Sequence, residues 1–152
     1  DIMTVGKGLG GGVPISAFLV NERAACFGPG DHGSTFGGNP LCCAVAAAVL
    51  RYIIKEDLLG NAVRVGSYFR ERLLGLQEEW DVVKEVRGRG LLLAMEFTKP
   101  VALAMVNACR EQGLLLNPIP PQTIRFMPPL IISPQDVDQA IVILDAAIVQ
   151  IR

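Results

Sequence analysis

With 152 residues the chain can bury one sizeable core, and its net charge of -1 gives no electrostatic footprint for nucleic acid or an acidic membrane surface. Hydrophobic residues make up 51% of it and charged residues only 19%, a balance that implies burial against partner polypeptide. No stretch reaches about 18 uninterrupted apolar residues, which argues against a membrane-crossing helix.

Residues 2–6 read as a buried strand ending at Lys7, and residues 13–20 as a second strand. Asn21 is expected to cap a short helix running to about residue 27. A glycine-rich loop over 28–38 follows, after which Asn39 and Pro40 start a helix to about residue 55. That helix is apolar on nearly every face until Arg51, the pattern of a helix buried all round. Leu58, Ala62, Val65, Phe69, Leu73 and Leu76 then recur every three or four residues, predicting a long amphipathic helix that bridges two bodies and stops at Trp80-Asp81.

The remainder reads as a β-β-α-β-β-α unit. Strands are expected over 82–86 and 91–97, joined through Arg87-Gly88-Arg89-Gly90, and a helix over 100–112 with Gly113 as its stop. Two further strands, 114–117 and 123–127, flank Pro118-Ile119-Pro120-Pro121. Ser133-Pro134-Gln135-Asp136 opens a last helix running to about 151 with a capping-box pattern. The fold class is α/β.

Lys7 lies between Gly6 and Gly8, with Gly10-Gly11-Gly12 just beyond. Flanking glycines let a flat ligand or another backbone come close, which suits an amine that forms an imine with an aldehyde. The bland alternative is a solvated turn lysine. A Walker-type phosphate loop is disfavoured, because Gly8 stands where Ser or Thr is required. An ordinary lysine is neutral only about once in two thousand at pH 7, a handicap that imine formation removes.

The hydroxyls of Ser34 and Thr35, with loop amides leading to the Asn39-Pro40 helix start, can hold a phosphate or simply close a capped loop. Arg125, in an apolar strand before Pro128-Pro129, needs an anion: a carboxylate ligand held by two parallel hydrogen bonds, or an internal partner such as Glu96. Asn117 lies near that strand. His32 reads as a structural hydrogen-bonding residue, Arg87 and Arg89 as a solvated hairpin, and Met95, Met105 and Met127 as core fillers.

The four cysteines are Cys26, Cys42, Cys43 and Cys109. They lack metal-ligand spacing, and with a single histidine no metal site is expected. Adjacent Cys42 and Cys43 read as small core residues, and the pattern fits a reducing interior, hence the cytoplasm. The sequence begins at Asp1 directly in a strand, so its natural start is expected upstream and targeting is unread.

Three strings occur in order: Thr4-Val5-Gly6-Lys7-Gly8-Leu9-Gly10-Gly11-Gly12-Val13-Pro14, then His32-Gly33-Ser34-Thr35-Phe36-Gly37-Gly38-Asn39-Pro40-Leu41, then Ile124-Arg125-Phe126-Met127-Pro128-Pro129-Leu130. In this order and spacing they resemble the C-terminal part of a class III pyridoxal-phosphate aminotransferase of fold type I, nearest to its acetylornithine- and ornithine-handling branch. The resemblance covers essentially the whole chain. It implies that residues 1–57 are the end of the large cofactor-binding domain, 58–80 a bridging helix and 81–152 a small C-terminal α/β domain.

The same resemblance assigns Lys7 as the Schiff-base lysine and proton shuttle. Thr35, and secondarily Ser34, would contact the phosphate of pyridoxal 5'-phosphate in the neighbouring subunit of a homodimer. Arg125 would grip the α-carboxylate of the amino acid and 2-oxo acid substrates, 2-oxoglutarate among them, with Asn117 lining the pocket. No nucleic acid or membrane partner is implied. The family's ring-contacting acid and aromatic and its upstream phosphate loop precede the lysine, so the chain is expected to be a C-terminal piece, inactive alone. Another class III enzyme, such as a 4-aminobutyrate transaminase or an aminomutase, and a non-catalytic dimerisation module remain as alternatives.

Overall fold

The computed structural model describes residues 1–151. The chain divides into two compact units, Asp1–Asp57 and Leu58–Arg152.

In the first unit β1 (Ile2–Val5) pairs antiparallel with β2 (Ala17–Val20), Ile2 opposite Val20 and Val5 opposite Ala17. Between them a 3-10 turn, Lys7–Gly10, is closed by Gly11 in the left-handed region at φ 56. The second strand is shorter than the 13–20 expected. Pro14 has no N–H to give a ladder, and Val13 makes only an isolated bridge to Gly11. The helix expected after Asn21 is a turn: the Asn21 carbonyl accepts the amides of Ala24 and Ala25, each at 3.1 Å, and the pattern stops there. So short a run before Gly28-Pro29 cannot repay the cost of helix nucleation.

Helix α1 (Pro40–Lys55) begins where Asn39 and Pro40 dictate: Asn39 Oδ1 accepts from the amides of Leu41 at 3.0 Å and Cys42 at 3.2 Å. Its apolar surface is not buried by this chain. Ala46 is the helix's one buried residue, while Leu41, Leu50, Tyr52 and Ile54 are exposed, as are Ile2, Met3, Phe18 and Leu19 on the two strands. Cys42 is half-buried and Cys43 exposed. A two-stranded ribbon and one helix have too little surface to cover one another, so the expected all-round burial does not arise within the unit.

The second unit is a four-stranded antiparallel sheet with three helices over one face. Its elements are α2 (Leu58–Glu79), β3 (Val83–Arg89), β4 (Leu92–Phe97), α3 (Ala102–Glu111), β5 (Asn117–Ile119), β6 (Thr123–Phe126) and α4 (Pro134–Ile151), with strand order β3-β4-β6-β5. Most of the stripe read from the sequence of α2 is buried within this unit: Leu58 is buried outside the core cluster, while Val65, Phe69, Leu73 and Leu76 face that core. There they meet Leu93, Met95 and Phe97 of β4, Ile124 and Phe126 of β6, and Met105 and Leu144 from the other helices. The α4 start is the capping box expected, Ser133 and Asp136 each accepting the other's amide proton, at 3.3 and 2.9 Å.

The strand expected over 114–117 instead begins where that range ends, at Asn117. The Leu114 amide is committed to the Cys109 carbonyl at 2.9 Å, closing the end of α3. Pro118, which cannot donate, is tolerated because β5 is the sheet edge.

Gly66 of α2 sets the approach of that helix to the β3–β4 turn. A Cβ there would lie 2.4 Å from the carbonyl carbon and oxygen of Gly90, while one on Gly75, in the same helix, would meet nothing within 4 Å. Gly75→Ala is therefore expected to raise stability by about 0.5–1 kcal/mol through helix propensity alone. Gly66→Ala should lower it by about 1–3 kcal/mol despite the same propensity gain. Urea unfolding of the two variants checks both signs.

Candidate functional site

The sequence-derived candidates fall in both units: Lys7, Ser34 and Thr35 in the first, Asn117 and Arg125 in the second.

Lys7 does not end the strand as expected. It opens the 3-10 turn, with φ at 50°, in the left-handed region. For a residue with a Cβ that conformation costs about 1–2 kcal/mol, and such outliers persist where the surroundings impose them, often at functional sites. Its side chain is exposed and, among the described residues, its amine has no hydrogen bond or ion pair. Beside it, a Cβ on Gly8 would meet nothing within 4 Å, so the backbone next to the lysine is open to close approach. Gly10 serves a different end: a Cβ there would lie 2.7 Å from Ile15 Cγ2, so its absence lets the chain fold back tightly behind the lysine.

Ser34 and Thr35 are exposed in the loop before α1. Ser34 Oγ accepts the Gly37 amide at 3.0 Å, so its oxygen closes the turn and only its hydrogen is free to donate. Thr35 keeps its hydroxyl unengaged. Both sit a few residues before α1, whose first amides are already taken, those of Leu41 and Cys42 by Asn39 Oδ1 and that of Cys43 by the Asn39 carbonyl at 2.9 Å. His32 packs its ring edge against Phe27 with centroids 5.2 Å apart, and Phe27 packs in turn on Phe18 at 6.2 Å. Among the described residues His32 has no hydrogen bond, so the ring contact, not the expected hydrogen bonding, is what it makes here.

In the second unit a cavity of ≈ 620 Å³ opens beside β5 and β6. Its wall is largely apolar, with Leu114, Leu116, Phe126, Pro128 and Pro129, and its polar groups are Asn117, Arg125 and Asp136. Met127 also lines it, half-exposed at 51%, which corrects its reading as core filler; Met95 and Met105 are fully buried. The pleat explains Arg125. Ile124 and Phe126 face the helices, so Arg125 projects from the opposite, open face of the sheet.

Arg125 and Asn117 are cross-strand partners, and the structure brings them together: Nη2 donates to Asn117 Oδ1 at 3.0 Å. Arg125 does not pair with Glu96. That carboxylate is held by Lys84 at Oε1 and Arg87 at Oε2, both at 2.7 Å. First the Lys84 ammonium and then the Arg87 guanidinium hold its carboxyl below the ordinary value. Arg87 is solvent-exposed, as expected of a hairpin residue, but it is also ion-paired, meeting Glu85 at 2.8 Å as well. Sequence reasoning passed over this cluster. Its signal was the alternation of charge on β3 against Glu96 on β4, legible only once the register is known. Asp136 is tied to the Ser133 amide at 2.9 Å and to the Ser133 hydroxyl, which holds its carboxyl below the usual value.

No group of three or more potential metal ligands occurs among the described residues, and no helix among them is long and apolar enough to cross a membrane. Lys7 thus presents an exposed, unpaired primary amine and Thr35 an exposed, unengaged hydroxyl.

Residues 1–148 match the family described as Aminotransferase class-III. Among curated proteins, the chain is 47% identical over 152 residues to an acetylornithine aminotransferase of Caldanaerobacter subterraneus subsp. tengcongensis, covering all of this chain and 39% of that protein. It is 47% identical over 143 residues to ornithine aminotransferase 2 of Staphylococcus saprophyticus, covering 93% of this chain and 35% of the relative. Among solved structures, acetylornithine aminotransferase from Elizabethkingia anophelis superposes with a TM-score of 0.91 at 40% identity, over 99% of this chain and 39% of that one. The chain thus spans about two fifths of the length of such relatives.

Proposed function

The chain belongs to the class III aminotransferases, which work with pyridoxal 5'-phosphate, and on that premise we propose that Lys7 is the residue through which the full-length protein holds its cofactor. The observation that carries this reading is the unpaired Lys7 amine, set in a left-handed turn between glycines. When bound, the cofactor supplies an aldehyde to receive the substrate amine and a ring that spreads the charge left by a departing α-proton.

Lys7 has two tasks in this scheme. Its amine tethers the cofactor in the resting protein. As a free base, the same Nζ would accept and carry the α-proton of the substrate. Thr35 donates its hydroxyl hydrogen to the cofactor phosphate, across the interface of a homodimer. Ser34, whose oxygen already closes the loop, can contribute only its remaining hydrogen. Arg125 binds the carboxylate common to the amino donor and the 2-oxo acid acceptor, since its planar guanidinium matches a carboxylate with two parallel hydrogen bonds. Asn117 lines the same pocket.

The names of the relatives favour an acetylornithine- or ornithine-like donor, with 2-oxoglutarate as the proposed acceptor. The remaining machinery is proposed to lie in the further length that these relatives possess, and the reaction to run in the cytoplasm.

Three outcomes are expected. Lys7→Ala in the full-length protein should lower kcat at least about a thousandfold while far-ultraviolet circular dichroism stays unchanged; substantial residual turnover contradicts the assignment. Arg125→Ala should raise KM for donor and acceptor alike by about ten- to a hundredfold, and an unchanged value for either removes its role. The isolated 152-residue chain should show no amine transfer to 2-oxoglutarate when supplied with pyridoxal phosphate, and efficient turnover would refute the division of labour.

A further inference from the structure

The open face of the sheet carries an arrangement that the proposed reaction does not by itself require. β4 lies between β3 and β6, and across the strands Arg87, Ala94 and Arg125 form one row while Glu85, Glu96 and Thr123 form the next. Glu96 is therefore a diagonal neighbour of both arginines, on the same face and one step from each. Diagonal neighbours across a sheet are about 7–8 Å apart, within reach of long side chains. By backbone position alone Glu96 can serve either arginine.

We propose that Lys84 and Arg87 are positioning residues that hold Glu96 on the β3 side and so leave Arg125 open to a substrate carboxylate. The inference rests on the reading of Arg125 given above and goes beyond it, because Lys84, Arg87 and Glu96 touch neither substrate nor cofactor in that scheme. Both carboxylate oxygens of Glu96 are occupied, Oε1 by Lys84 and Oε2 by Arg87, each at 2.7 Å. Lys84 reaches it because β3 bulges between Val83 and Glu85, which turns an extra residue towards the carboxylate.

Two further carboxylates, one on the same sheet face and one on the cavity wall, are also engaged. Glu85 is bound by Arg87 at 2.8 Å, and Asp136, on the cavity wall, caps its own helix at Ser133. On its far side Arg125 is steadied by Asn117 Oδ1 at 3.0 Å, a neutral acceptor that orients the guanidinium without cancelling its charge. A carboxylate released from the clamp would compete with substrate for Arg125 at the high effective concentration of an intramolecular partner. The clamped Glu96 cannot.

The test uses glutarate, a dicarboxylate with no amino or oxo group, titrated calorimetrically into the full-length holoprotein. Arg87→Gln is expected to raise its dissociation constant about five- to tenfold, with KM for the 2-oxo acid rising in step. Adding Glu96→Gln to that variant should return the constant to within about twofold of the parent, which a merely damaged sheet would not do. Arg87→Lys should keep much of the affinity, and Lys84→Met, which removes the other half of the clamp, should weaken it in the same direction should Arg87→Gln fail to fold. Unchanged glutarate affinity in Arg87→Gln and Lys84→Met, with affinity lost in Arg125→Gln, overturns the clamp and leaves the carboxylate site standing. Failure of Glu96→Gln to restore binding also overturns it. Unchanged affinity in Arg125→Gln itself removes the site and the clamp together.

Discussion

Burial on one side of the four-stranded sheet constrains everything else in the second unit. Leu93, Met95 and Phe97 alternate along β4, and Ile124 and Phe126 along β6, so all of them point into the layer of helices. Phe97, Leu93, Met95 and Ile124 are almost wholly withdrawn from water, each worth about 1.5–3 kcal/mol of transfer free energy. A slip of one residue would exchange the two faces and put Arg125 into the core without an anion. Hydrophobic burial therefore fixes the register, and the register decides which polar side chains meet on the open face. Arg125 beside Asn117 and Glu96 beside Arg87 are consequences of packing on the opposite side.

The first unit follows a different logic. It buries little within itself, and its distinctive feature is local: a left-handed lysine between glycines, with Gly10 allowing the chain to double back against Ile15. Asn39 fixes where α1 begins and so where the loop bearing Thr35 ends. Exposed apolar side chains such as Leu19, Phe36 and Ile54 accord with the low charge content of the whole sequence. The proposed chemistry draws on both patterns, an amine kept free by local backbone geometry and a cation kept free by sheet register.

Much of this is legible in the sequence. The three- and four-residue spacing from Leu58 to Leu76 gives α2 its buried stripe, and Ser133 with Asp136 marks the start of α4, because both signals are local and strong. Local signals also misled. Asn21 offers a good cap, yet no helix propagates against the approaching Gly28-Pro29. The apolar 114–116 run looks like a strand, but its first amide is spent on closing α3. Met127 has the composition of core and the position of a cavity wall. The Lys84–Glu96–Arg87 cluster was illegible for another reason: it depends on pairing between strands and on a bulge, neither of which a one-dimensional pattern encodes. Of the site residues, Lys7, Ser34, Thr35 and Arg125 stand out by glycine context, a hydroxyl pair and a charge within an apolar strand. The strand pattern suggested a buried arginine, but Arg125 is exposed on the open face, and its direct bond to Asn117 required the register of β5 against β6.

The most direct check is chemical trapping of the lysine. Full-length protein loaded with pyridoxal 5'-phosphate would be reduced with borohydride, digested and mapped by mass spectrometry. A phosphopyridoxyl group on the peptide containing Lys7, stoichiometric with bound cofactor, is the predicted result. A label on another lysine, with Lys7 unmodified, would contradict it.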